Sequence, residues 1–261
     1  MTSSLEPERY WAELLATRRL PAVAQDDPLA RAYLDFAAPE RVVLGHLGQS
    51  LDGRIATVSG HSAGVTGPAN IAHLHRLRAL ADAVLVGAGT VHHDDPLLTT
   101  RLVEGPSPVR VVIDSERRLE ARFGLFQEGP PTLVLCAEAA FDQPLLGRAE
   151  VVPVAADVAG CRPEAVLDAL RARGLKRIFI EGGGRTVSRF LYAGALDILE
   201  ICVSPVIIGA GRPAISGPEI ASMDEALRLD GPTIPMGGDI LFHFHLETLG
   251  RRRPTLTCRG A

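Results

Sequence analysis

Cysteine is scarce in this sequence, and its arrangement gives no sign of metal or redox chemistry. The four cysteines are Cys136, Cys161, Cys202 and Cys258. None belongs to a C-x-x-C pair, so the sequence predicts neither a cysteine-bound zinc site nor a redox-active dithiol. Three of the four lie in apolar stretches, where we expect them to be core thiols.

Excess basic charge and long apolar runs are also lacking. The 261 residues carry a formal net charge of -4, so the sequence lacks the excess of basic residues expected for binding a nucleic acid. No apolar run approaches the roughly 20 residues that a membrane helix needs. The first residues, MTSSLEPERYW, have no cationic region followed by an apolar stretch. We therefore expect no signal peptide, no membrane partner and a cytoplasmic location.

Two widespread nucleotide-binding motifs are missing. The chain has no G-x-x-x-x-G-K-[ST] loop, which disfavours an ATPase. Gly87-x-Gly89 follows an apolar strand, but the polar residues 92–95 and Pro96 come next. We interpret that segment as a turn, whereas a G-x-G-x-x-G dinucleotide site requires a helix there. A standard Rossmann site is therefore not predicted.

The histidines and carboxylates do not have the spacing of a metal site. Residues 92–95 are two histidines and two aspartates, and adjacent side chains in a loop rarely converge on one ion. His243 and His245 share one face of a predicted strand and are expected to be structural. His245-x-Glu247 matches half of the zinc deaminase signature, but the P-C-x-x-C half is missing. We therefore predict no metal and no deaminase activity.

Apolar strands and amphipathic helices alternate along most of the chain. We predict helices over residues 29–36, 68–80, 163–173 and 186–193, and strands over 41–47, 83–87, 109–114, 132–136, 151–154, 177–180, 198–208 and 239–246. Continuous apolar strands separated by helices indicate an α/β fold, with a mostly parallel central sheet and helices on both faces. The last two long strands have no helix-length connection, which predicts an antiparallel C-terminal edge.

The first 40 residues read differently from the rest. Trp11, Leu14 and Leu15 recur with Tyr10 at helical spacing, and Pro21 ends that helix. We interpret residues 1–40 as an N-terminal helical extension, 41–248 as one domain and 249–261 as a C-terminal tail. The extension is expected to pack on the domain surface or at a subunit interface.

Polar or glycine-rich segments follow four of the predicted strands. These are Ser50-Leu51-Asp52-Gly53, Gly87-Ala88-Gly89-Thr90, Asp114-Ser115 and Glu181-Gly182-Gly183-Gly184. Ligands of open α/β sheets bind beyond the carboxyl ends of the strands, so we predict the functional site there. The last segment leads into a helix, whose free N–H groups and nearby arginines suit a phosphate. A tight turn without a ligand is the alternative.

Several longer segments together resemble one family. They are GQSLDGRIATVSGHSAGVTGP, LHRLRALADAVLVGAGTVHHDDPLLTTR, PVRVVIDS, IFIEGGGRTVSRFLYAGALD and VSPVIIGAGRP. In this order they resemble the reductase half of the bifunctional riboflavin deaminase-reductase, over about residues 41 to 248. The resemblance implies a dihydrofolate-reductase-like fold. It also implies NADPH-dependent reduction of the ribosyl group of 5-amino-6-(5-phosphoribosylamino)uracil to ribityl, with hydride transfer to C1′.

The same resemblance implies roles for particular residues. Substrate positions are Ser62, Arg78, Leu98, Arg101 and Glu181, and cofactor positions are Gly48, Gly64, Thr90, Asp94, Ser115, Gly183, Gly184, Arg185, Thr186, Val187, Ser188 and Arg189. Arg78 and Arg101 are expected to clamp the substrate phosphate, because guanidinium groups bind phosphate bidentately. Glu181 and His46 are the candidates for handling the proton.

Two departures and one missing part leave alternatives open. His46 stands where the family often has lysine, Gly64 stands where it often has an aromatic residue, and the deaminase half has no counterpart here. A dihydropterin reductase of the same fold and a non-catalytic ligand-binding paralogue are the alternatives. We expect a homodimer, because related reductases are typically dimers and the extension otherwise exposes apolar side chains.

Overall fold

A computed structural model describes residues 6–246 of the chain. The helices are α1 (Trp11–Thr17), α2 (Pro28–Ala37), α3 (Pro68–Leu80), α4 (Ala88–Asp94), α5 (Pro163–Arg171) and α6 (Gly184–Tyr192). The strands are β1 (Val42–Ser50), β2 (Arg54–Thr57), β3 (Ala83–Gly87), β4 (Val109–Ile113), β5 (Thr132–Ala137), β6 (Leu145–Leu146), β7 (Ala149–Val154), β8 (Ala156–Asp157), β9 (Gly160–Cys161), β10 (Arg177–Glu181), β11 (Ile198–Ser204), β12 (Gly211–Pro213), β13 (Thr233–Met236) and β14 (Asp239–His245). The predicted tail, 249–261, lies outside the described residues, as do Glu247 and Cys258.

Ten of the strands form one sheet in the order β13-β14-β11-β1-β10-β3-β4-β5-β7-β6. The seven strands from β11 to β7 are mutually parallel. Strand β14 pairs antiparallel with β11, and β13 pairs antiparallel with β14. The predicted mostly parallel sheet with an antiparallel C-terminal edge is therefore confirmed. A short antiparallel strand, β6, at the opposite edge was not predicted.

Alternate side chains of the central strands enter two separate apolar cores. In β1, Leu44 packs with the residues of α2 and α3, whereas Val43 and Leu47 pack with those of α5 and α6. Neighbouring strand residues point to opposite faces of a sheet, so helices must cover both faces. His46 and Glu181 occupy paired positions on adjacent strands and lie on the α3 face.

The N-terminal extension docks within its own chain. Leu14 is fully buried and Trp11 is 6% exposed. The indole Nε1 of Trp11 donates a hydrogen bond to the Glu104 carbonyl at 2.8 Å, and the Arg76 guanidinium lies 5.8 Å from the indole ring centre. Packing within the chain therefore covers these side chains, whose exposure was one of the two reasons for expecting a dimer, and the homodimer stays a prediction.

Three details of the secondary structure differ from the predictions. Residues after Gly87 form α4, where a turn was predicted. This seven-residue helix buries only Val91, so it carries almost no apolar pattern. Strand β11 ends at Ser204 because Pro205 follows and cannot donate to the ladder. Strands β2 and β12 pair in a separate two-stranded sheet that was missed. A search of residues 6–246 for a helix that could span a bilayer found none.

Candidate functional site

The four predicted segments meet at one edge of the sheet. They follow β1, β10, β3 and β4, which are consecutive neighbours and all run parallel. Their carboxyl ends therefore lie side by side, as the sequence predicted. Gly182 and Gly183 have φ angles of 70° and 74°. Glycine adopts this left-handed conformation without steric cost, which allows the sharp turn from β10 into α6.

The Ser50-x-Asp52 motif organises the loop after β1. Asp52 accepts hydrogen bonds from the Ser50 hydroxyl at 2.6 Å and from the backbone N–H of Gly209 at 2.7 Å. The Ser50 hydroxyl and the backbone N–H of Ile208 lower the pKa of Asp52 to about 2. The carboxylate therefore stays ionised and ties the loop after β1 to the loop after β11.

Arg78 and Glu181 form a forked ion pair at the end of β10. The Nε of Arg78 donates to Oε2 of Glu181 at 2.6 Å, and its Nη2 donates to Oε1. The third guanidinium nitrogen, Nη1, donates to the Thr99 carbonyl at 2.9 Å. Arg78 is 7% exposed, so a buried guanidinium holds both oxygens of Glu181 in one orientation.

The two arginines of the predicted phosphate clamp have different partners in this structure. Arg78 points to Glu181, whereas Arg101 is exposed and its Nη1 donates to the Thr99 hydroxyl at 2.9 Å. The two arginines meet at Thr99 from separate segments, but only Arg101 presents its side chain to solvent. Arg101 is therefore the better placed of the two to meet a phosphate.

The loop that carries Arg101 is held by a neutral histidine and a strained leucine. The backbone N–H of Arg101 donates to Nδ1 of His75 at 2.9 Å. Burial, Arg78 and Arg101 lower the pKa of His75 to about 4, so its Nδ1 keeps the lone pair that accepts this bond. Leu98 is 1% exposed and has a φ of 52°, which is costly for a bulky residue. Burial of the leucine side chain keeps the loop in this conformation.

His46 belongs to a buried network around Glu200. The Oε2 of Glu200 lies 3.2 Å from Nδ1 of His46 and 2.8 Å from Nε2 of His73, and its Oε1 lies 2.9 Å from Nδ1 of His243. Nδ1 of His73 lies 2.9 Å from the Tyr33 hydroxyl. These partners were not predicted from the sequence.

The charges within this network follow from its contacts. Burial alone would raise the pKa of Glu200, but contacts with His73, His243 and His46 hold it well below its usual range. Burial lowers the pKa of His73, and Asp35 and Glu200 raise the pKa of His243 to about 9 against the effect of burial. An ionised Glu200 thus accepts three hydrogen bonds, and the positive charge resides on His243.

Two buried hydrogen-bond acceptors in this region face no partner among residues 6–246. Because His46 donates from Nδ1 to Glu200, we assign the lone pair to its Nε2, which is unpartnered. Asn70 donates from Nδ2 to the Thr66 hydroxyl at 3.0 Å, and its Oδ1 is unpartnered. A Cβ on Gly48 would lie 2.8 Å from the Thr66 methyl, so glycine lets the loop before α3 approach β1 closely. Asn70 was not predicted, because a lone asparagine in a helix gives no sequence signal.

Part of the predicted cofactor set comes together where α6 begins. A Cβ on Gly183 would lie 3.1 Å from the Thr90 hydroxyl and 3.4 Å from the Thr186 hydroxyl. Arg185 follows on the first turn of α6 and is exposed. Gly184 has a different role, because a Cβ there would lie 2.5 Å from the carbonyl oxygens of Pro213 and Ala214. This glycine is required by packing against β12.

The remaining residues of that helix are engaged within the fold. Val187 is fully buried, and the buried Ser188 hydroxyl accepts from the Ser216 N–H at 2.9 Å. Their side chains are occupied within the fold, so a cofactor would have to contact the backbone of these two residues, and their cofactor roles stay predictions. Arg189 donates to Asp157 at 2.8 Å.

Ser115, Ser62, Asp94 and Gly64 lie on the surrounding loops. The Ser115 hydroxyl accepts from the backbone N–H of Cys161 at 2.9 Å. The Ser62 hydroxyl donates to Asp94 at 3.4 Å, so a predicted substrate residue and a predicted cofactor residue are in contact. Gly64 has a φ of 80° and is exposed.

Comparison with known proteins agrees with this architecture. The RibD C-terminal domain family model matches residues 41–233. A Methanothermobacter thermautotrophicus protein named 2,5-diamino-6-ribosylamino-4(3H)-pyrimidinone 5′-phosphate reductase is 34% identical over 217 residues, which cover 78% of this chain and 98% of that protein. Riboflavin biosynthesis protein RibD of Aquifex aeolicus is 32% identical and covers 75% of this chain. The match spans only 55% of that longer protein.

A solved structure shows the same fold. The diaminohydroxyphosphoribosylaminopyrimidine deaminase/5-amino-6-(5-phosphoribosylamino)uracil reductase of Thermotoga maritima superposes with a TM-score of 0.67 at 29% identity. The match covers 84% of this chain and 60% of that one. The dihydrofolate-reductase-like fold is thereby confirmed, and the chain belongs to the RibD C-terminal domain family.

Proposed function

We propose that this chain reduces the ribosyl group of a 5-phosphoribosylaminopyrimidine to ribityl, with NADPH as the hydride donor. The observation that carries the proposal is the fixed Glu181 carboxylate. It lies at the carboxyl end of β10, next to the glycine-rich start of α6. A polar group at that edge can contact the sugar, while the adjacent turn leaves backbone N–H groups for a phosphate.

The residues at the start of α6 fit a phosphorylated dinucleotide. The hydroxyls of Thr90 and Thr186 flank Gly183, and no Cβ blocks an approach to the backbone there. The exposed Arg185 makes no ion pair with any residue in the described part of the chain. NADPH bound there supplies the hydride, and the protein's main contribution is to orient the sugar against it.

Glu181 and His46 remain the proposed proton-handling and sugar-binding groups. Arg78 occupies one lone pair on each oxygen of Glu181, which leaves the others free to accept from ribose hydroxyls. His46 is 2% exposed and keeps its Nδ1 proton on Glu200, so only Nε2 can act on a ligand. This favours Glu181 over His46 as the group in contact with the reacting sugar.

The pyrimidine itself has two candidate forms. The first is 5-amino-6-(5-phosphoribosylamino)uracil, the form that the resemblance implies. The second is the 2,5-diamino-6-ribosylamino-4(3H)-pyrimidinone 5′-phosphate that appears in the name of the Methanothermobacter thermautotrophicus relative. The match to this chain covers 98% of that relative.

Assays of NADPH oxidation with candidate substrates test this function directly. We expect NADPH oxidation with one or both phosphoribosylaminopyrimidines and none with dihydrofolate. Faster turnover of dihydrofolate would support the dihydropterin alternative, which the family assignment does not favour. No oxidation with any of the three would indicate a non-catalytic paralogue.

Arg185 is expected to give the enzyme its preference for NADPH over NADH. A charge-assisted hydrogen bond to the 2′-phosphate is worth about 1.5–3 kcal/mol, or roughly 10- to 150-fold in binding. Arg185→Ala should therefore weaken NADPH by that factor and leave NADH unchanged, as measured by fluorescence titration. Arg171→Ala, at a partly exposed position of α5 far along the chain from α6, is the control. Equal affinity of the unmodified protein for both cofactors would contradict this assignment.

Arg101 is expected to bind the substrate phosphate without Arg78. Arg101→Ala should lower kcat/KM for the phosphorylated pyrimidine by about 10- to 150-fold, since one charge-assisted contact is lost. The dephosphorylated substrate should respond weakly, and NADPH affinity should not change. Arg122→Ala, another exposed arginine, serves as the control. Equal losses with and without the phosphate would show that Arg101 acts elsewhere.

A further inference from the structure

Asp35, His243 and His245 form a compact cluster between α2 and β14, the second strand from the antiparallel edge of the sheet. Nε2 of His245 lies 3.0 Å from Oδ2 of Asp35, and Nε2 of His243 lies 3.4 Å from the same oxygen. One ligand atom from each residue lies within 4.8 Å of the other two. His243 and His245 alternate along the strand, so both rings project from one face.

The spacing of these atoms suits a small divalent ion. Zinc binds histidine nitrogen and carboxylate oxygen at about 2.0–2.2 Å, so neighbouring ligands of a tetrahedral site lie about 3.3 Å apart. The observed 3.0 and 3.4 Å bracket that separation. Two imidazoles and one carboxylate are a ligand set that first-row transition metals accept.

His243 is oriented as a metal ligand usually is. Its Nδ1 lies 2.9 Å from the fully buried Glu200 carboxylate, which fixes the ring and directs Nε2 at Asp35. Ligating histidines almost always hydrogen-bond a carboxylate or carbonyl through the other ring nitrogen. Without a metal, Nε2 of the charged His243 carries a proton and lies 3.4 Å from Oδ2 of Asp35, although it forms no hydrogen bond of good geometry within residues 6–246. A bound ion would replace that proton, because imidazole ligates a metal only in its neutral form.

Solvent can reach the cluster from one side. The side chains of Asp35 and His245 are 36% and 49% exposed, whereas that of His243 is 2% exposed. An ion could therefore enter without unfolding and keep a water as its fourth ligand. It would connect the N-terminal extension, through α2, to the C-terminal edge of the sheet.

We propose that Asp35, His243 and His245 bind one Zn²⁺ or a similar divalent transition metal, with Glu200 supporting His243 from behind. This differs from the expectation of no metal drawn from the sequence. The sequence showed the H-x-H pair but not the aspartate, which lies 208 and 210 positions away. The ion would link α2 to β14 and would have a structural role. The proposal therefore does not depend on the proposed reductase activity.

Calorimetric titration of tag-free, EDTA-treated protein with zinc chloride tests the site. We expect one equivalent to bind and the melting temperature to rise, because a ligand that binds only the folded state stabilises it. His245→Ala and Asp35→Asn should each weaken binding by more than the roughly 10- to 100-fold that loss of a supporting residue costs. His61→Ala, an exposed histidine elsewhere, should bind zinc like the unmodified protein.

Two results would overturn the proposal. One is no zinc binding by the unmodified protein at ten times the protein concentration, which would leave the cluster as a hydrogen-bonded ionic network. The other is binding that persists in both His245→Ala and Asp35→Asn, which would place the ion on other residues. Both variants alter partly exposed side chains and are expected to remain folded, which circular dichroism would check.

Discussion

Glu181→Gln is expected to lower kcat/KM for the phosphoribosylaminopyrimidine by about 100- to 10,000-fold, the range that a positioned acid–base group contributes. Glutamine keeps the size of the side chain but removes the charge that pairs with Arg78 and the ability to exchange a proton. The loss should appear in kcat, because Glu181 is proposed to act on the reacting sugar. Steady-state rates of NADPH oxidation measure it.

Two controls test whether the loss of activity in Glu181→Gln comes from the chemical step. NADPH affinity should be unchanged in Glu181→Gln, since the cofactor is proposed to bind at Gly183, Thr186 and Arg185. Glu150→Gln, which breaks an exposed pair with Arg173, should retain full activity. A Glu181→Gln enzyme with a kcat within threefold of the unmodified protein would exclude Glu181 from the chemistry.

Glu200→Gln is expected to reduce the free energy of unfolding by about 3–5 kcal/mol, the cost of removing one partner from a buried ion pair. Glu200 is fully buried and balances the charge on His243, while His46 and His73 also donate to it. An amide cannot balance that charge, and its NH₂ group opposes at least one of the histidine donors. Urea unfolding in EDTA measures the loss without any contribution from bound metal.

The matched control is again Glu150→Gln, at an exposed position. Surface pairs contribute about 0–1 kcal/mol, so its effect should be small. A loss below about 1 kcal/mol in Glu200→Gln would mean that the network is better solvated than its burial indicates, and the assignment of charge to His243 would be wrong.

The convergence of the four polar and glycine-rich segments was predictable from the sequence because it depends on local signals. Each of the four segments follows an apolar strand, and parallel strands bring their carboxyl ends to one edge. Gly182 and Gly183 indicate a turn with left-handed backbone angles, a conformation that residues other than glycine rarely adopt. The alternation of apolar strands with helices predicted that helices cover both faces of the sheet. The short connection between the last two long strands predicted the antiparallel edge.

Contacts between distant segments were not predictable. Glu200 stands in an apolar strand and gives no sign that His46, His73 and His243 surround it, because these residues come from three other elements. The Arg78 fork was missed for the same reason, and both arginines were therefore assigned to the phosphate. In α6, the helix as a whole was identified, but which of its residues face inward depends on packing against β1 and β12.

The central claim is that this site transfers a hydride to the sugar of a phosphoribosylaminopyrimidine. The most direct test uses NADPH that carries deuterium at the transferable position, with mass spectrometry and NMR of the pyrimidine product. The account predicts a ribityl product with one deuterium at C1′, formed by the unmodified protein and at a rate at least 100-fold lower by Glu181→Gln. An unlabelled product, or deuterium on the pyrimidine ring, would contradict it.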